Sequence, residues 1–457
     1  MPGMQGAKRP TGEAWLPILI AVAVLPAVFV PVRSITDFFY LPKVLVLMAS
    51  ELVLIATWLR HRAAGFAHGT SGAAQVSAGT GAPAVGNPLV VPLLAYWAVL
   101  ALATWQSVDP WQSLLGEPFR WEGLLTFLLY GGLVLLLPLA GTSGVARRID
   151  QLLQWGMAVA AGIVAYGLLQ RYGLDPMPRD AIRSSAAWWR ASAFATLGNS
   201  NFFGSFTAMY VGMAASRYLA GGGAWLAGAA VVCYGMLTSL SRGSWLAAAG
   251  AMVIVLAAML VRPPEKRRDL WRRAFTLAVM AALLTVLWRL ADPLASDRVS
   301  ALVQDTANQS GTVGQRFWIW RVTWNAIQGR PWLGYGPDTL GQVFPHFELP
   351  GRNAVGLAGA FVDRAHNDYL QVAVSSGLLG LAAYLWLLVR AGRSAWGVIA
   401  GPKATSLEQQ LAWGLTGGVV AHLLAMGANL STVSESPPFW GFLGAAAALW
   451  MAVRARS

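Results

Sequence analysis

Arg364-Ala365-His366-Asn367-Asp368-Tyr369-Leu370-Gln371 sets an ionisable, hydrogen-bonding cluster directly against the apolar run 372–389. The chain holds only five histidines in 457 residues, and His366 stands where a long polar segment meets that run. An imidazole there can take a proton from a hydroxyl nucleophile while the apolar wall excludes bulk water. Two further positions suit anion chemistry. Arg242 lies in Thr238-Ser239-Leu240-Ser241-Arg242-Gly243-Ser244-Trp245-Leu246, between two apolar runs. An arginine at a membrane edge costs on the order of a few kcal/mol unless paired or solvated. The adjacent serines and glycine would put hydroxyl and backbone groups beside the charge, as an oxyanion site requires. In Gln315-Arg316-Phe317-Trp318-Ile319-Trp320-Arg321-Val322-Thr323-Trp324, two arginines are interspersed with three tryptophans, which suits an amphipathic helix at a membrane interface. Its arginines would face an anionic ligand or lipid. Structural readings compete at each place: a snorkelling arginine for Arg242, a lipid-facing basic stripe for Arg316 and Arg321, a satisfied structural histidine for His366. Asp363, His366 and Asp368 invite a metal reading. With no second histidine cluster and no Asp-x-Asp pair beside them, no metal site is expected.

The elements that must hold these residues are membrane helices. Hydrophobic residues make up 56% of the chain, charged residues 12%, and the mean hydropathy is +0.52. A soluble domain of this size does not reach such values. Apolar stretches of spanning length, roughly 17–25 residues, fall near 14–32, 41–59, 88–106, 121–140, 151–170, 201–217, 223–240, 243–261, 274–291, 369–389, 409–427 and 438–453. The expectation is an all-α polytopic membrane protein of about 12 transmembrane helices, with the boundaries between 201 and 261 the easiest to miscount. Residues 1–291 would form an N-terminal transmembrane bundle, 292–368 a long extracytoplasmic loop with short helices, and 369–457 a C-terminal three-span segment.

Orientation follows from the basic residues. With both termini cytoplasmic, the inner segments hold 18 of the 33 basic residues and five acids, a balance of +13. The outer segments hold 15 basic residues and 14 acids, and Glu51 within the second span supplies the last negative charge. The net charge of +13 thus lies on one side, the positive-inside pattern, and the pI of 10.4 is no sign of nucleic-acid binding. The single cysteine, Cys233, falls in a span, which rules out an intramolecular disulfide and a cysteine-based metal site. The first apolar run is followed by Pro31-Val32-Arg33 and not by a small-residue cleavage site, so it reads as an uncleaved first span. Residues 60–87 are rich in Gly, Ala, Ser and Thr without periodicity and read as a flexible cytoplasmic linker. Residues 292–368 are too long for a connector and are expected to be functional.

Several of these residues together resemble the O-antigen ligase and O-antigen polymerase superfamily, including its protein O-oligosaccharyltransferase branch. His366-Asn367, nine residues, then Gly377-Leu378-Leu379-Gly380 is similar to its main signature, and Arg242 with Leu246 to a second. Gly198-Asn199-Ser200-Asn201-Phe202-Phe203-Gly204 resembles its Gly-Asn-Pro-Asn-Phe segment, with Ser200 departing at the proline. Arg316 occupies the place of a second essential arginine early in the long loop.

The resemblance implies a GT-C-like, metal-independent glycosyltransferase of the cytoplasmic (inner) membrane, without cofactor. It would move a glycan from a polyprenyl-diphosphate carrier to an acceptor hydroxyl on the extracytoplasmic side. Its partners would be the lipid-linked donor, a glycan, lipid or protein acceptor, and the bilayer, with no nucleic acid. Arg242 and Arg316 would hold the diphosphate, helped by Arg321 and Arg364, because guanidinium groups are permanent, bidentate donors to developing phosphate charge. His366 would take the acceptor proton as the hydroxyl inverts the anomeric carbon. Asn367, Asp368 and Gln371 would orient the imidazole or the acceptor; Asn199 and Asn201 would meet glycan hydroxyls. Trp318, Trp320, Trp324 and Tyr335 would stack on sugars or sit in an aromatic belt. Ligase, polymerase and oligosaccharyltransferase chemistry all need the same groups, so the acceptor stays open. A solute transporter, such as the inorganic-carbon type to which some relatives have been assigned, would concentrate charge near the midplane, where Glu51 is the main candidate.

Overall fold

The computed structural model describes residues 15–28, 37, 39–67, 86–139, 144–175, 193–292, 300, 304 and 311–456. Most of the linker expected at 60–87, the triplet Pro31-Val32-Arg33 and the start of the long loop lie outside the described residues. Among the described residues every regular element is a helix.

Helix α1 (Trp15–Leu19) continues through a π turn (Ile20–Val24) and a 3-10 turn (Leu25–Ala27). Next come α2 (Leu41–Ala67), α3 (Val90–Trp105), the short α4 (Pro110–Leu115), α5 (Leu124–Leu139) and α6 (Val145–Arg171). The middle of the chain gives α7 (Ser200–Leu219), α8 (Trp225–Thr238), α9 (Arg242–Val261) and α10 (Arg267–Ala291). After the long loop's α11 (Gly311–Gly329) and α12 (Leu340–Val343) follow α13 (Asp368–Ile399), α14 (Ser406–Met426) and α15 (Ser436–Arg454). Among the described residues six helices are long and apolar enough to cross a membrane: α2 (over Leu41–Arg60), α6, α9, α10, α13 and α15. Four shorter apolar helices lie at Trp15–Ala27, Val90–Trp105, Leu124–Leu139 and Trp225–Thr238. Each of the remaining two apolar stretches of the sequence also carries a helix, α7 and α14.

One continuous core runs from Ile18 to Val453. At its centre α7 packs on α14 through small residues. Gly212 lies against the Gly417 carbonyl and Ser216 against Gly417, so a side chain added at either glycine would strike backbone or a packed hydroxyl. Small residues let two membrane helices approach this closely where lipid offers no hydrophobic drive for association. By contrast, α10 exposes Phe275, Leu283, Leu287 and Leu290.

A second core gathers the long loop. Trp318, Ile319, Val322, Ala326 and Ile327 of α11 pack with Tyr335, Leu340, Val343, Phe344 and Val362, and close on Ala373 and Val374 of α13. This corrects the expectation of a helix lying at the interface with its tryptophans among headgroups. Trp318 is 5% exposed and its Nε1 donates to the Pro350 carbonyl at 3.2 Å. Only Trp324 of that trio is strongly exposed. An amphipathic pattern does not say whether lipid or protein covers the apolar face, and here it is protein.

The loop is stitched to α13 at a break in the helix. Gly377 has φ 69° and ψ −176°, a region open essentially to glycine. The opened turn receives residues 331–336. Leu378 N–H donates to the Pro331 carbonyl (2.7 Å) and Leu379 N–H to that of Trp332 (3.4 Å), while Tyr335 and Gly336 N–H donate to Val374 (3.0 Å) and Ser375 (2.9 Å). Irregular backbone of this kind survives within a membrane protein only where its polar groups find such partners.

Candidate active site

Successive turns of one face of α11 carry the site. Residues four apart on a helix lie one above the other, and Thr312, Arg316 and Trp320 follow that spacing. Each touches a different part of the chain. Thr312 Oγ1 accepts from Arg242, Arg316 Nη2 donates to Asn429 Oδ1 at 3.4 Å, and Trp320 Nε1 donates to the His366 carbonyl at 3.3 Å. This stripe gathers Arg242, Arg316 and His366, which lie 124 positions apart from first to last (366 − 242).

The local sequence explains each placement. Arg242 opens α9, so its guanidinium stands at a helix N-terminus. Asn199 caps α7, its side chain accepting from Asn201 N–H at 2.8 Å, and Asn201 in turn accepts from Ser241 Oγ at 3.2 Å. Asn367 caps α13, accepting from Leu370 N–H at 3.1 Å. His366, immediately before that cap, has φ 50°, a left-handed conformation uncommon for a residue with a side chain. Helix N-termini carry about half a positive charge each. Those of α7, α9 and α11 are linked here by hydrogen bonds and add to the two arginines an electrostatic field suited to an anion.

Electrostatics shape both partners. Burial and then the neighbouring Arg242 push the Arg316 guanidinium down from its ordinary proton affinity. Burial, followed by the charge of Arg316, lowers His366 to about 4; Asp363 works in the opposite direction and Arg364 in the same one. At neutral pH the imidazole is therefore uncharged, with a lone pair to offer.

A buried ion network braces the turn from behind. Arg364, 4% exposed, donates through both Nη atoms to Glu122 Oε2 at 2.9 Å and lies 3.7 Å from Asp338. Burial opposes the Arg364 charge, but Glu122, Asp338 and Asp363 outweigh it and hold its proton affinity above the ordinary value. Burial raises the Glu122 carboxyl above the ordinary carboxylate range, and the facing charge of Arg364 pulls it back. Arg120 binds Asp338 at 3.0 Å and also pairs with Glu117 and Asp363. Three segments, 117–122, 338 and 363–364, are thereby locked together.

Other expected site residues have structural work instead. Arg364 is committed to the ion network rather than to an outside anion. Arg321 is exposed and, five positions from Arg316, lies about 140° around α11. Tyr335 is 7% exposed in the loop's core, with Arg330 over its ring, and offers no open face to a sugar. Asn367 spends both ends of its amide, on the cap and on the Gly427 carbonyl at 2.9 Å. Asp368 accepts from Ser431 Oγ at 2.8 Å, and Gln371 accepts from Ala365 N–H at 3.0 Å. Ser239, Ser241 and Ser244 are buried and bond inward, so they do not open hydroxyls beside Arg242. Among the described residues no group of three or more His, Cys, Asp or Glu side chains is arranged to hold a metal.

The connector from Gly427 to Glu435 is absent from the sequence-based candidates, yet it touches Arg316, Asn367 and Asp368 through Asn429, Gly427 and Ser431. Asn429, Thr432, Ser434 and Glu435 are each at most 3% exposed. Its signal was a run of small polar residues, Asn429-Leu430-Ser431-Thr432-Val433-Ser434-Glu435-Ser436, between two apolar helices, a pattern equally suited to an ordinary turn.

No curated protein matches the chain. Residues 227–385 match the family model described as O-Antigen ligase, a segment that begins in α8 and ends within α13 and so contains Arg242, Arg316 and His366. Over that segment, about a third of the chain, the protein is similar to the O-antigen ligase family, which supports the resemblance read from the sequence.

Proposed function

We propose that this protein transfers a glycan from a polyprenyl-diphosphate carrier to an acceptor hydroxyl at the extracytoplasmic face of the cytoplasmic membrane. The observation that carries the reading is the convergence of Arg242, Arg316 and His366 on one stripe of α11, at linked helix N-termini. In this reading twelve helices cross the bilayer, both termini are cytoplasmic, and the end bearing α11 faces out, as the one-sided distribution of basic residues supports.

The arginine pair takes the diphosphate. As the anomeric carbon–oxygen bond breaks, the leaving phosphate oxygen gains charge, and fixed guanidinium donors stabilise that charge without reorganising. His366 accepts the hydroxyl proton while the acceptor oxygen bonds to the anomeric carbon from the opposite face. A resting imidazole near 4 is a weak base. Donor binding corrects this, because the diphosphate's charge offsets that of Arg316, the largest electrostatic cause of the depression after burial. The base is strongest once the donor is seated, which discourages futile activation of water in the empty site. No step in this scheme calls for a metal, so transfer should persist in EDTA.

Ligase chemistry, in which a finished glycan passes to a lipid acceptor, is the favoured case because the matched family model carries that description. The test is the carrier lipid in cells lacking the protein. Accumulated polymer on the polyprenyl carrier is the expected result. Accumulated single repeat units would make the protein a polymerase, and unchanged carrier pools would overturn the proposal.

A further inference from the structure

We infer that Asn429 is the positioning residue that aims Arg316 at the donor diphosphate while leaving its charge intact; the inference rests on the function proposed above. Asn429 sits in the buried connector between α14 and α15, 2% exposed, and is not among the residues the family resemblance singles out. Its amide has two commitments. Nδ2 donates to Ser205 Oγ of α7 at 2.8 Å, and Oδ1 accepts from Arg316 Nη2 at 3.4 Å. The first bond fixes the orientation of the amide, so the second fixes one corner of the guanidinium. Arg316 needs such a brace. It is partly buried, and Arg242 repels it.

The chemical type of the brace matters as much as its place. Arg364, on the other side of the His366 turn, is held by the carboxylates of Glu122 and Asp338, and its charge is consumed there. Among the described residues Arg316 has no carboxylate within ion-pair distance; its one hydrogen-bonding partner is a neutral carboxamide. A neutral acceptor orients a cation and leaves the full charge for an incoming anion. A carboxylate at the same atoms would orient it equally well and compete with the diphosphate. Structure and charge can therefore be separated experimentally: Asn429→Asp keeps the acceptor for Arg316, replaces the donor to Ser205 with an acceptor to which that hydroxyl can turn and donate, and neutralises the site.

The experiment uses the purified full chain in lipid nanodiscs, with steady-state transfer from a lipid-linked glycan and inorganic pyrophosphate as a competing anion. Asn429→Asp is expected to raise KM for the donor and to weaken pyrophosphate inhibition by about tenfold or more, the worth of one hydrogen bond to a charged group. KM for the acceptor and the melting temperature should stay near wild type. Asn429→Ala should lower turnover, and should weaken pyrophosphate protection against heating little further when Arg316 is already alanine, because it acts through that side chain. Wild-type donor KM and pyrophosphate inhibition in Asn429→Asp would overturn the inference, as would Asn429→Ala and Arg316→Ala effects on pyrophosphate protection that multiply independently. If Asn429→Asp melts early, pyrophosphate protection of Asn429→Ala against heating decides: undiminished protection overturns it, diminished protection supports it. Full activity of Arg316→Ala itself would instead sink the underlying function.

Discussion

Gly377→Ala is the substitution in which fold and chemistry separate most clearly. At φ 69° and ψ −176° an added Cβ would fall on the Trp332 carbonyl group and Leu333 N, main-chain atoms that cannot rotate away. Either the α13 break closes or residues 331–336 withdraw, and both outcomes remove the four backbone hydrogen bonds that join the loop to the helix. Each is worth about 0.5–1.5 kcal/mol, so their loss totals about 2–6 kcal/mol. Backbone strain of about 1–3 kcal/mol adds to this if the break stays open. Taking about 3 kcal/mol as the working figure, protection of the amides of Tyr335, Gly336, Leu378 and Leu379 against hydrogen exchange should fall by about a hundredfold. Transfer should fall with it, because α11 reaches α13 through this junction and brings Arg316 to His366. The assay is hydrogen–deuterium exchange by mass spectrometry in nanodiscs, run beside a transfer assay. Gly392→Ala on the same helix is the control: a Cβ there meets nothing within 4 Å, and exchange should stay the same or slow slightly. Native exchange at the junction together with full transfer in Gly377→Ala would refute the reasoning.

Two further predictions follow from the charges. The acid limb of kcat/KM, which reports the free enzyme, should fall near pH 4 rather than 6.5, because His366 loses its lone pair only below its lowered value. The limb of kcat should lie higher, since bound diphosphate offsets Arg316, and Arg316→Lys should leave the kcat/KM limb where it is; an acid limb of kcat/KM at 6.5 in the wild type would count against the base. Glu122→Gln removes the closest carboxylate from a buried arginine, a change that costs about 3–5 kcal/mol when no other partner remains. With Asp338 still 3.7 Å from Arg364, the lower end applies, read as a drop in melting temperature that Glu122→Gln with Arg364→Met partly restores.

The helices and the arginine–histidine set were legible in the sequence because both signals are local. A stretch of apolar residues declares a helix by its length, and a histidine or arginine against such a run is conspicuous through its rarity. The partners of those residues were not legible. Glu122 lies 242 positions from Arg364, and Asn429 lies 113 from Arg316, so no pattern within a window could pair them. Tyr335 and Trp318 show the opposite difficulty. Their types suit a sugar platform, an aromatic belt or a protein core, and only the packing of 340–347 and 362 over them selects the last. The spacing of Thr312, Arg316 and Trp320 marks a helical stripe, but the tryptophans around it suit a membrane surface as well as a protein core. Gly377 belonged to a recognised motif, yet the reason for a glycine there is a loop more than forty residues earlier in the chain.

In the function proposed above, His366 and Arg316 act together on a lipid-diphosphate donor. The most direct test of that function is a single-turnover reaction with purified protein in nanodiscs, following release of the polyprenyl diphosphate and formation of the new glycosidic bond in one sample. Wild type is expected to yield both products in equal amounts, in the presence of EDTA. His366→Ala and Arg316→Ala should yield neither, although both variants insert and melt like the wild type. Equal release and bond formation by folded His366→Ala at the wild-type rate would contradict that function.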